Sequence, residues 1–276
     1  MRRIARVFPR RTKATPIDDL AFYDVPGLFP PEVDEVHVSV TFTYDLPRAE
    51  RLAREWRHVA PVKIGGPATG ERGEEFVPGR YLKPGYVITS RGCPNCCWYC
   101  DVWRRDGRVR ELPITDGWIV QDDNLLACSD GHIRAVFAML AKQREAARFT
   151  GGLEAARLLP WHAEAMALRF DHLFFAYDDP SEYEPLRNAV DLMHRTGVKS
   201  GSHKLRCYVL IGHPRDTFEA AEKRLADCLQ LGLFPMAMLY RDAQGLVDPE
   251  WRRFQRGWAA PAAVGARIKA LREVDS

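Results

Sequence analysis

The sequence predicts an α/β protein: a partial (β/α)6 barrel with a small N-terminal α/β extension and a C-terminal helical tail. Three observations predict this class. From residue 86 onward, short apolar and β-branched segments alternate with amphipathic segments of helical length. Glycine and proline fall between these segments, and 46% of the 276 residues are hydrophobic. Strands separated by helical segments favour βαβ units and a parallel sheet, with functional loops at the carboxyl ends of the strands.

The first 84 residues predict a basic arm followed by a small strand–helix–strand unit. Residues 1–13 hold six cations and no acid. We expect them to form a solvated, frayed terminus, although a basic arm can also grip phosphate. The other predicted elements follow in chain order: an irregular Pro-rich arm over 16–31, a strand over 36–43, a helix over 47–58, a strand over 62–64 and a linker over 68–84.

Residues 85–245 predict the barrel, and residues 246–276 predict the helical tail that packs back on it. The predicted strands cover 86–90, 118–121, 147–150, 172–177, 205–211 and 234–239. The predicted helices cover 131–146, 161–168, 184–196 and 217–231. In the tail, the apolar positions that indicate a packed helix are Trp251, Phe254, Trp258, Ile268 and Leu271.

Composition excludes several classes of protein. Charged residues make up 28% and aromatic residues 11%, which rules out a mainly disordered chain or a collagen-like repeat. No stretch approaches the roughly 20 apolar residues that span a bilayer, and no apolar segment follows the basic N-terminus as it does in a secretory signal. We therefore expect a cytoplasmic protein without membrane contact. The net charge of +3 comes from the leader, because the remaining chain carries slightly more acidic than basic side chains.

Four of the seven cysteines fall within eight residues, at Cys93, Cys96, Cys97 and Cys100. In a cytosolic chain such a cluster indicates a metal or redox site rather than a disulfide framework. One ligand set is Cys93, Cys97 and Cys100, spaced C-x3-C-x2-C. These three thiolates can hold three irons of a 4Fe–4S cluster and leave the fourth iron open to a small molecule. The alternative is a compact zinc site of all four thiols, although zinc-binding pairs usually stand many residues apart.

Residues 91–100 read RGCPNCCWYC, and this run resembles the cysteine loop of the radical S-adenosylmethionine (SAM) superfamily. The Arg-Gly-Cys-Pro start is similar to the subset that contains methylthiotransferases and cobalamin-dependent enzymes. Two further segments support the resemblance: Asp122-Asp123-Asn124 after an apolar strand, and residues 208–217, which turn through Gly-His-Pro toward an Asp-Thr pair. The resemblance covers roughly residues 85–240.

The resemblance implies a reaction. Cys93, Cys97 and Cys100 would hold a 4Fe–4S cluster whose open iron binds the amino and carboxylate groups of SAM. One-electron reduction would cleave SAM and yield a 5′-deoxyadenosyl radical that abstracts hydrogen from a substrate. An electron donor similar to flavodoxin or ferredoxin is also implied. The substrate and the reaction subclass stay open, because one fold supports many outcomes.

The resemblance also implies cofactor-binding roles for single residues. Tyr99 would lie against the adenine, and one of Asp122, Asp123 and Asn124 would accept from the methionine ammonium in place of the family's Gly-Gly-Glu. The further positions are Glu154 for the ligand or substrate, Asp178 and Asp179 for ribose hydroxyls, Arg206 for the methionine carboxylate, and Ile211 and Gly212 for the adenine. Two of these assignments have a structural alternative: Asp122-Asp123-Asn124 suits a capped turn, and Arg206 suits a buried carboxylate.

Two other functions stay open at this level. A zinc-stabilised module would bind nucleic acid through the basic leader. An iron–sulfur electron carrier would hold a cluster and would not bind SAM.

The strand–helix–strand that ends in Gly65-Gly66-Pro67 resembles the closing part of a cobalamin-binding domain. It is too short for that whole domain and lacks a D-x-H-x-x-G stretch, so we predict no cobalamin. A second cluster motif is likewise absent from the sequence, which argues against a methylthiotransferase.

Overall fold

The computed structural model describes residues 2–72, 75–200, 202–242, 244–259 and 264–267. Within these ranges the strands form a four-stranded parallel sheet, a six-stranded parallel sheet and a two-stranded antiparallel ribbon. The α/β class with parallel strands is therefore confirmed. None of the helices in the described ranges combines the length and apolarity needed to cross a bilayer.

The four-stranded sheet is built from the first 65 residues. Its elements are β1 (Ile4–Val7), β2 (Ala21–Phe22), β3 (Glu35–Ser39), α1 (Leu46–Trp56) and β4 (Val62–Gly65). The strand order is β2-β1-β3-β4, so the order reverses between β1 and β3. Alternate residues of β3, Val36 and Val38, are buried against Leu52 and Trp56 of α1. This unit thus has a hydrophobic core of its own.

The expectation of a solvated N-terminal leader is wrong for residues 4–8. β1 lies inside the sheet between β2 and β3, and its Ala5 and Val7 are fully buried. Arg6 lies on the opposite face of the strand, where its guanidinium pairs with Asp18 and donates to the carbonyl oxygen of Gly79 at 3.2 Å. Arg6 therefore alternates with the core residues Ala5 and Val7, because successive side chains of a strand point to opposite faces. Such an apolar face is hard to recognise in a basic segment of the sequence.

The second unit follows from residue 86. Its elements are β5 (Tyr86–Val87), β6 (Ser90–Arg91), α2 (Val102–Arg105), β7 (Arg110–Glu111), β8 (Ile119–Val120), α3 (Asp130–Lys142), β9 (Ala147–Leu153), α4 (Pro160–Leu168), β10 (Phe170–Ala176), α5 (Tyr183–Arg195), β11 (Leu205–Ile211), α6 (Phe218–Gln230), β12 (Phe234–Leu239) and α7 (Pro249–Ala259). The six-stranded sheet runs in the order β5-β8-β9-β10-β11-β12 with every neighbour parallel. All six predicted strands and all four predicted helices are present, and the strands at 205–211 and 234–239 have the predicted bounds.

The two faces of the six-stranded sheet differ. On one face, Leu173, Phe175 and Val209 are fully buried together with Leu186 of α5 and Leu225 of α6. On the other face of β11, the side chains of Arg206, Tyr208 and Leu210 stay partly exposed, as the strand alternates between buried and half-buried residues. The helices therefore cover one face of the sheet and leave the other accessible.

The predicted helical tail is present as α7. Trp251 of α7 contacts the ring of Phe218 in α6 at 4.3 Å between centroids, and Phe254 contacts the same ring at 5.5 Å. The tail thus packs back on the sheet unit. Trp258 of the same helix is buried. The remaining two predicted apolar positions of the tail, Ile268 and Leu271, lie outside the described residues.

Candidate functional site

The carboxyl ends of the six parallel strands lie at one edge of the sheet, and most of the predicted site residues follow these ends. The cysteine loop follows β5 through Thr89 and Ser90. Asp122 follows β8, Glu154 follows β9 and Asp178 follows β10. Because parallel strands end at the same edge, residues that are distant in sequence meet there.

The cysteine loop begins with a tight turn that only glycine fits. Gly92 has a φ of +87°, and a Cβ at this position would clash with the carbonyl oxygen of Arg108. Cys93 N then donates to Gly107 O at 3.0 Å, and Cys100 N donates to Cys97 O at 3.1 Å. The loop is therefore held by its own backbone and by the segment that follows α2.

The four thiols of the loop differ in exposure. Cys93, Cys97 and Cys100 are half-buried, whereas Cys96 is exposed. Burial raises the pKa of the Cys97 thiol. The neighbouring Tyr99 hydroxyl lowers this pKa in part, and the Cys100 and Cys93 thiols raise it further. Burial likewise raises the pKa of Cys100, with Cys93 as a further cause. The three predicted ligands thus interact electrostatically with one another and differ from Cys96.

Within the described residues, no group of three or more His, Cys, Asp or Glu side chains has the arrangement of a metal site. The donor set nevertheless suits an iron–sulfur cluster, because three thiols in one loop are the ligands such clusters take. The chemistry of the loop fits a cluster, and the thiol side chains would have to turn toward a common centre to bind it.

Asp122 holds the cysteine loop against the end of β8. Its Oδ1 accepts from Thr89 N at 2.6 Å, and its Oδ2 accepts from the hydroxyls of Thr89 at 2.5 Å and Ser90 at 2.8 Å. The carboxyl group is buried, and burial raises its pKa. Both oxygens of Asp122 therefore accept hydrogen bonds from Thr89 and Ser90, which is a structural role. Its predicted contact with a ligand stays a prediction.

Asp123 contacts the start of the same loop. Its Oδ2 accepts from Gly92 N at 2.9 Å, and its Oδ1 lies 3.5 Å from Nη1 of Arg91. Burial raises the pKa of Asp123, and the charge of Arg91 opposes that effect. Asp122 and Asp123 together therefore fix the three residues that precede Cys93.

Asn124 is the residue of this segment whose side chain has an unused hydrogen-bond acceptor for a ligand. It is 3% exposed, and its Nδ2 donates to Glu154 Oε2 at 2.7 Å and to Cys93 Sγ at 3.4 Å. Its Oδ1 is buried and has no hydrogen-bond partner. Glu154 also accepts from Arg157 Nε at 2.7 Å. A buried acceptor without a donor is costly, so Asn124 Oδ1 beside Cys93 is suited to a ligand that brings an N–H or O–H group.

The structure joins two predicted ligand residues to each other. Tyr99 Oη donates to Asp178 Oδ2 at 2.6 Å, and Asp178 Oδ1 accepts from Leu210 N at 2.6 Å. Burial raises the pKa of Tyr99, and the Asp178 carboxylate raises it further. Burial also raises the pKa of Asp178. The far end of the cysteine loop is thus tied to β10 and β11.

Aromatic side chains enclose the outer side of the loop. Trp98 is 44% exposed, and its ring lies 5.4 Å from Tyr99, 5.3 Å from His213 and 5.9 Å from Tyr240. Trp103 donates from Nε1 to Cys97 O at 3.0 Å. His213 and Tyr240 follow β11 and β12, so the aromatic wall combines the loop with the ends of two strands.

The turn after β11 is fixed by a buried ion pair. Gly212, with a φ of +73°, donates from its N to Asp216 Oδ2 at 2.9 Å. Arg224 of α6 donates to Asp216 Oδ1 at 3.0 Å and to Leu210 O at 3.0 Å. Ile211 is fully buried in the core. The predicted adenine-lining role of Ile211 and Gly212 therefore concerns backbone groups at the carboxyl edge.

Arg206 is the predicted residue that the structure does not bring to the cysteine loop. It is the second residue of β11, at the amino end of that strand, and its Nε donates to His203 O at 3.0 Å. Its guanidinium lies 5.5 Å from the ring centre of Phe174. The proposed pairing of Arg206 with a ligand carboxylate at the cysteine loop therefore conflicts with its position. Asp179 also turns away: it is exposed and caps the turn before α5 through Ser181 N at 2.9 Å.

A cavity of about 670 Å³ lies between the carboxyl ends of the two parallel sheets. From the first sheet it is lined by residues 8–10 after β1, 40–42 after β3 and 65–67 at the end of β4. From the second sheet it is lined by Arg91 and by residues 121–123. Ligands of parallel α/β sheets bind at the carboxyl ends of the strands, and here two such edges share one cavity.

Compared with models of known protein families and with the sequences of curated proteins, the chain matches none. The geometry of the cysteine loop and of the cavity therefore carries the functional argument.

Sequence reasoning missed the contribution of the first sheet to the cavity. Arg10, in the basic leader, pairs in bidentate fashion with Asp45 at 2.8 Å for both hydrogen bonds, and both residues line the cavity. His37 of β3 and Lys63 of β4 also line the cavity. The signal in the sequence is the alternation of polar residues with valine in residues 35–40, which marks a sheet face that is polar as well as one that is apolar.

Proposed function

We propose that the chain is a radical SAM enzyme in which Cys93, Cys97 and Cys100 hold a 4Fe–4S cluster. The observation that carries this proposal is the set of three half-buried thiols in the loop after the first strand of the six-stranded sheet, beside the unpartnered Oδ1 of Asn124. The exposed Cys96 would remain outside the cluster. Because three thiolates leave one iron without a protein ligand, this set suits an enzyme more than an electron carrier.

We further propose that the six-stranded sheet is a partial (β/α)6 barrel. Its strands follow one another in chain order, and its neighbours are all parallel, which supports such a barrel. The helices pack on one face, while Arg206, Tyr208 and Leu210 of the opposite face stay partly exposed. In a partial barrel that accessible face would be the concave interior.

Bound at the cluster, SAM would supply a 5′-deoxyadenosyl radical after reductive cleavage. Asn124 would present its Oδ1 to the methionine ammonium, since this buried oxygen lacks a donor and Cys93 lies 3.4 Å from the Nδ2 of the same side chain. Such a bond to a cation is charge-assisted and stronger than a neutral one. Asp122 and Asp123 would fix the loop in register rather than contact the ligand.

The substrate would occupy the cavity between the two sheets. The cavity is adjacent to the loop because Arg91 and Asp123, which contact the residues before Cys93, belong to its wall. Its wall contains two ion pairs, Arg10 with Asp45 and Arg105 with Asp106, each at 2.8 Å. A volume of about 670 Å³ suits a ligand of small-molecule size.

Electron paramagnetic resonance of anaerobically reconstituted and reduced protein tests the proposal. We expect a 4Fe–4S signal that changes on addition of SAM. Cys97→Ala should lose the signal and most of the bound iron. Cys96→Ala, the matched control in the same loop, should keep both and should still respond to SAM.

Two other outcomes would replace the proposal. A cluster signal that does not respond to SAM would make the protein an iron–sulfur electron carrier. Bound zinc without a cluster, lost equally in Cys96→Ala and Cys97→Ala, would make it a zinc-stabilised binding module. An electron donor similar to flavodoxin or ferredoxin is required only under the enzyme proposal, and the cytoplasm is the compartment we expect for it.

A further inference from the structure

Three side chains form a hydrogen-bonded chain that ends at the wall of the cavity. His37 Nδ1 lies 2.6 Å from Tyr81 Oη, and His37 Nε2 lies 2.9 Å from Glu35 Oε2. Glu35 and His37 point from the same face of β3, because they are two residues apart in a strand. Tyr81 approaches from the segment that connects the two sheet units. His37 and Tyr81 line the cavity.

The partners of Glu35 decide the direction of the hydrogen bonds. Its carboxyl group also accepts from Lys63 Nζ at 3.0 Å and from Arg2 Nη1 at 2.5 Å. The hydrogen bond with His37, followed by that with Lys63, lowers the pKa of Glu35 to about 2. An ionised carboxylate only accepts, so in the neutral form of His37 the hydrogen is on Nε2, which leaves Nδ1 as the acceptor for the Tyr81 hydroxyl.

In this chain Tyr81 supplies a hydroxyl, His37 is the base that can activate it, and Glu35 orients the base. Hydroxyl and base lie within hydrogen-bond distance, and the base is oriented by a carboxylate, which is the arrangement that activates side-chain hydroxyls in enzymes. We propose that Tyr81 is an acid–base catalytic residue for the substrate of the cavity, with His37 and Glu35 as its positioning residues. The proposal rests on the cavity as the substrate site, and it does not depend on the cluster.

The proton transfer balances within these groups. A substrate O–H or N–H gives its proton to Tyr81 Oη while the phenolic proton passes to His37 Nδ1. The resulting imidazolium is stabilised by the Glu35 carboxylate 2.9 Å away. The reverse transfer returns the proton to the product. The class of substrate is therefore a small molecule with an exchangeable hydroxyl, amine or amide proton.

Reaction of the metal-free protein with benzenesulfonyl fluoride tests the activation of Tyr81. In the labelling step the Tyr81 oxygen forms a bond to sulfur, fluoride leaves, and the phenolic proton passes to His37. Peptide mass spectrometry gives the labelling rate of each tyrosine. Tyr23, whose hydroxyl donates to the carbonyl oxygen of Pro16, is the internal reference because it has a hydrogen-bond acceptor but no base.

We expect Tyr81 to react about 100-fold faster than Tyr23, the order of general-base catalysis. His37→Gln preserves an acceptor for Tyr81 and a donor for Glu35 but cannot take up a proton, so it should reduce the Tyr81 rate to that of Tyr23. Glu35→Gln should give an intermediate rate. Equal rates for Tyr81 and Tyr23 in the wild type would overturn the proposal, as would wild-type labelling in both variants. Because the protein is tested without metal, failure here is distinct from failure of the cluster experiment.

Discussion

At the scale of single residues, Asn124 has an acceptor that the folded chain does not satisfy. Leaving a buried polar atom unpaired costs about 1–3 kcal/mol, which a ligand can recover. Asn124→Ala removes that acceptor, and it also removes the donor to Cys93 and Glu154. We expect the affinity for SAM to fall about tenfold or more, with the iron content unchanged, as measured by calorimetric titration of the reconstituted protein.

The control for this prediction is Asn188→Ala, because Asn188 is exposed on α5. It should leave the affinity for SAM at the wild-type value. An Asn124→Ala variant that binds SAM with wild-type affinity would show that the buried oxygen does not contact the ligand.

The free energy of unfolding should depend on pH through Asp122. Burial raises its pKa in the folded protein above the value of 3.8 for an unburied Asp, so its protonated form favours folding. This contribution is present below that value and is lost as the pH rises through the raised pKa. Asp122→Asn does not ionise. The free energy of unfolding of the wild type minus that of Asp122→Asn should therefore decrease between about pH 4 and pH 7.

Urea unfolding of both proteins across this pH range measures that difference. A difference that increases with pH would mean that the three hydrogen bonds from Thr89 and Ser90 outweigh burial and lower the pKa.

At the scale of elements, the cysteine loop is held at both ends by side chains from other strands. Tyr99→Phe removes the hydrogen bond to Asp178 and leaves that buried carboxyl with one backbone donor, Leu210 N. We expect a loss of about 1–3 kcal/mol in the free energy of unfolding. Hydrogen–deuterium exchange of residues 93–100 should become faster, because the loop loses its anchor on β10.

Tyr23→Phe is the comparison for this variant, since the Tyr23 hydroxyl donates to a backbone carbonyl in the first sheet unit. Its effect on exchange should be confined to that unit. Unchanged exchange of residues 93–100 in Tyr99→Phe would contradict the anchoring role.

The elements themselves were predictable to different degrees. β11 and β12 have the predicted bounds because their mainly apolar runs lie between clear turn residues. β1 was not predicted, because four residues that include Arg6 and follow Arg2 and Arg3 resemble a solvated arm until β3 pairs with them. β8 is shorter than predicted, with two residues in the ladder. Local sequence pattern indicates an element, whereas its length depends on partners that are distant in the chain.

At the scale of the whole molecule, the two sheet units have separate hydrophobic cores. Leu52 belongs to the core of the first and Leu186 to that of the second. Leu52→Ala and Leu186→Ala should each cost about 2–5 kcal/mol locally. We expect Leu52→Ala to accelerate hydrogen exchange in β1, β3 and β4 alone, and Leu186→Ala to accelerate it in β10 and β11 alone.

Exchange measured on both variants under the same conditions serves as a reciprocal control. Acceleration across both sheets in either variant would mean that the two units unfold as one cooperative body.

The residues of the predicted candidate site lie partly in one loop and partly at the ends of other strands. The cysteine spacing is local, so the sequence contains it directly. The bond between Tyr99 and Asp178 joins residues 79 positions apart, and the contact of Asn124 with Cys93 spans 31 positions. Arg206 differs from these residues, because the predicted bounds of its strand, 205–211, already place it at the amino end of that strand.

The shared cavity has a consequence for how such a chain can diversify. One wall belongs to a unit with its own core, and the other wall carries the cysteine loop. Substitutions after β3 and β4 can therefore reshape what the cavity accepts without disturbing the backbone that holds the thiols. A chimera that exchanges residues 2–65 for a different parallel α/β unit of the same strand order would replace Glu35 and His37 together with that wall of the cavity and keep the cysteine loop. In engineering terms, one wall of the cavity can be exchanged separately from the loop that carries the thiols.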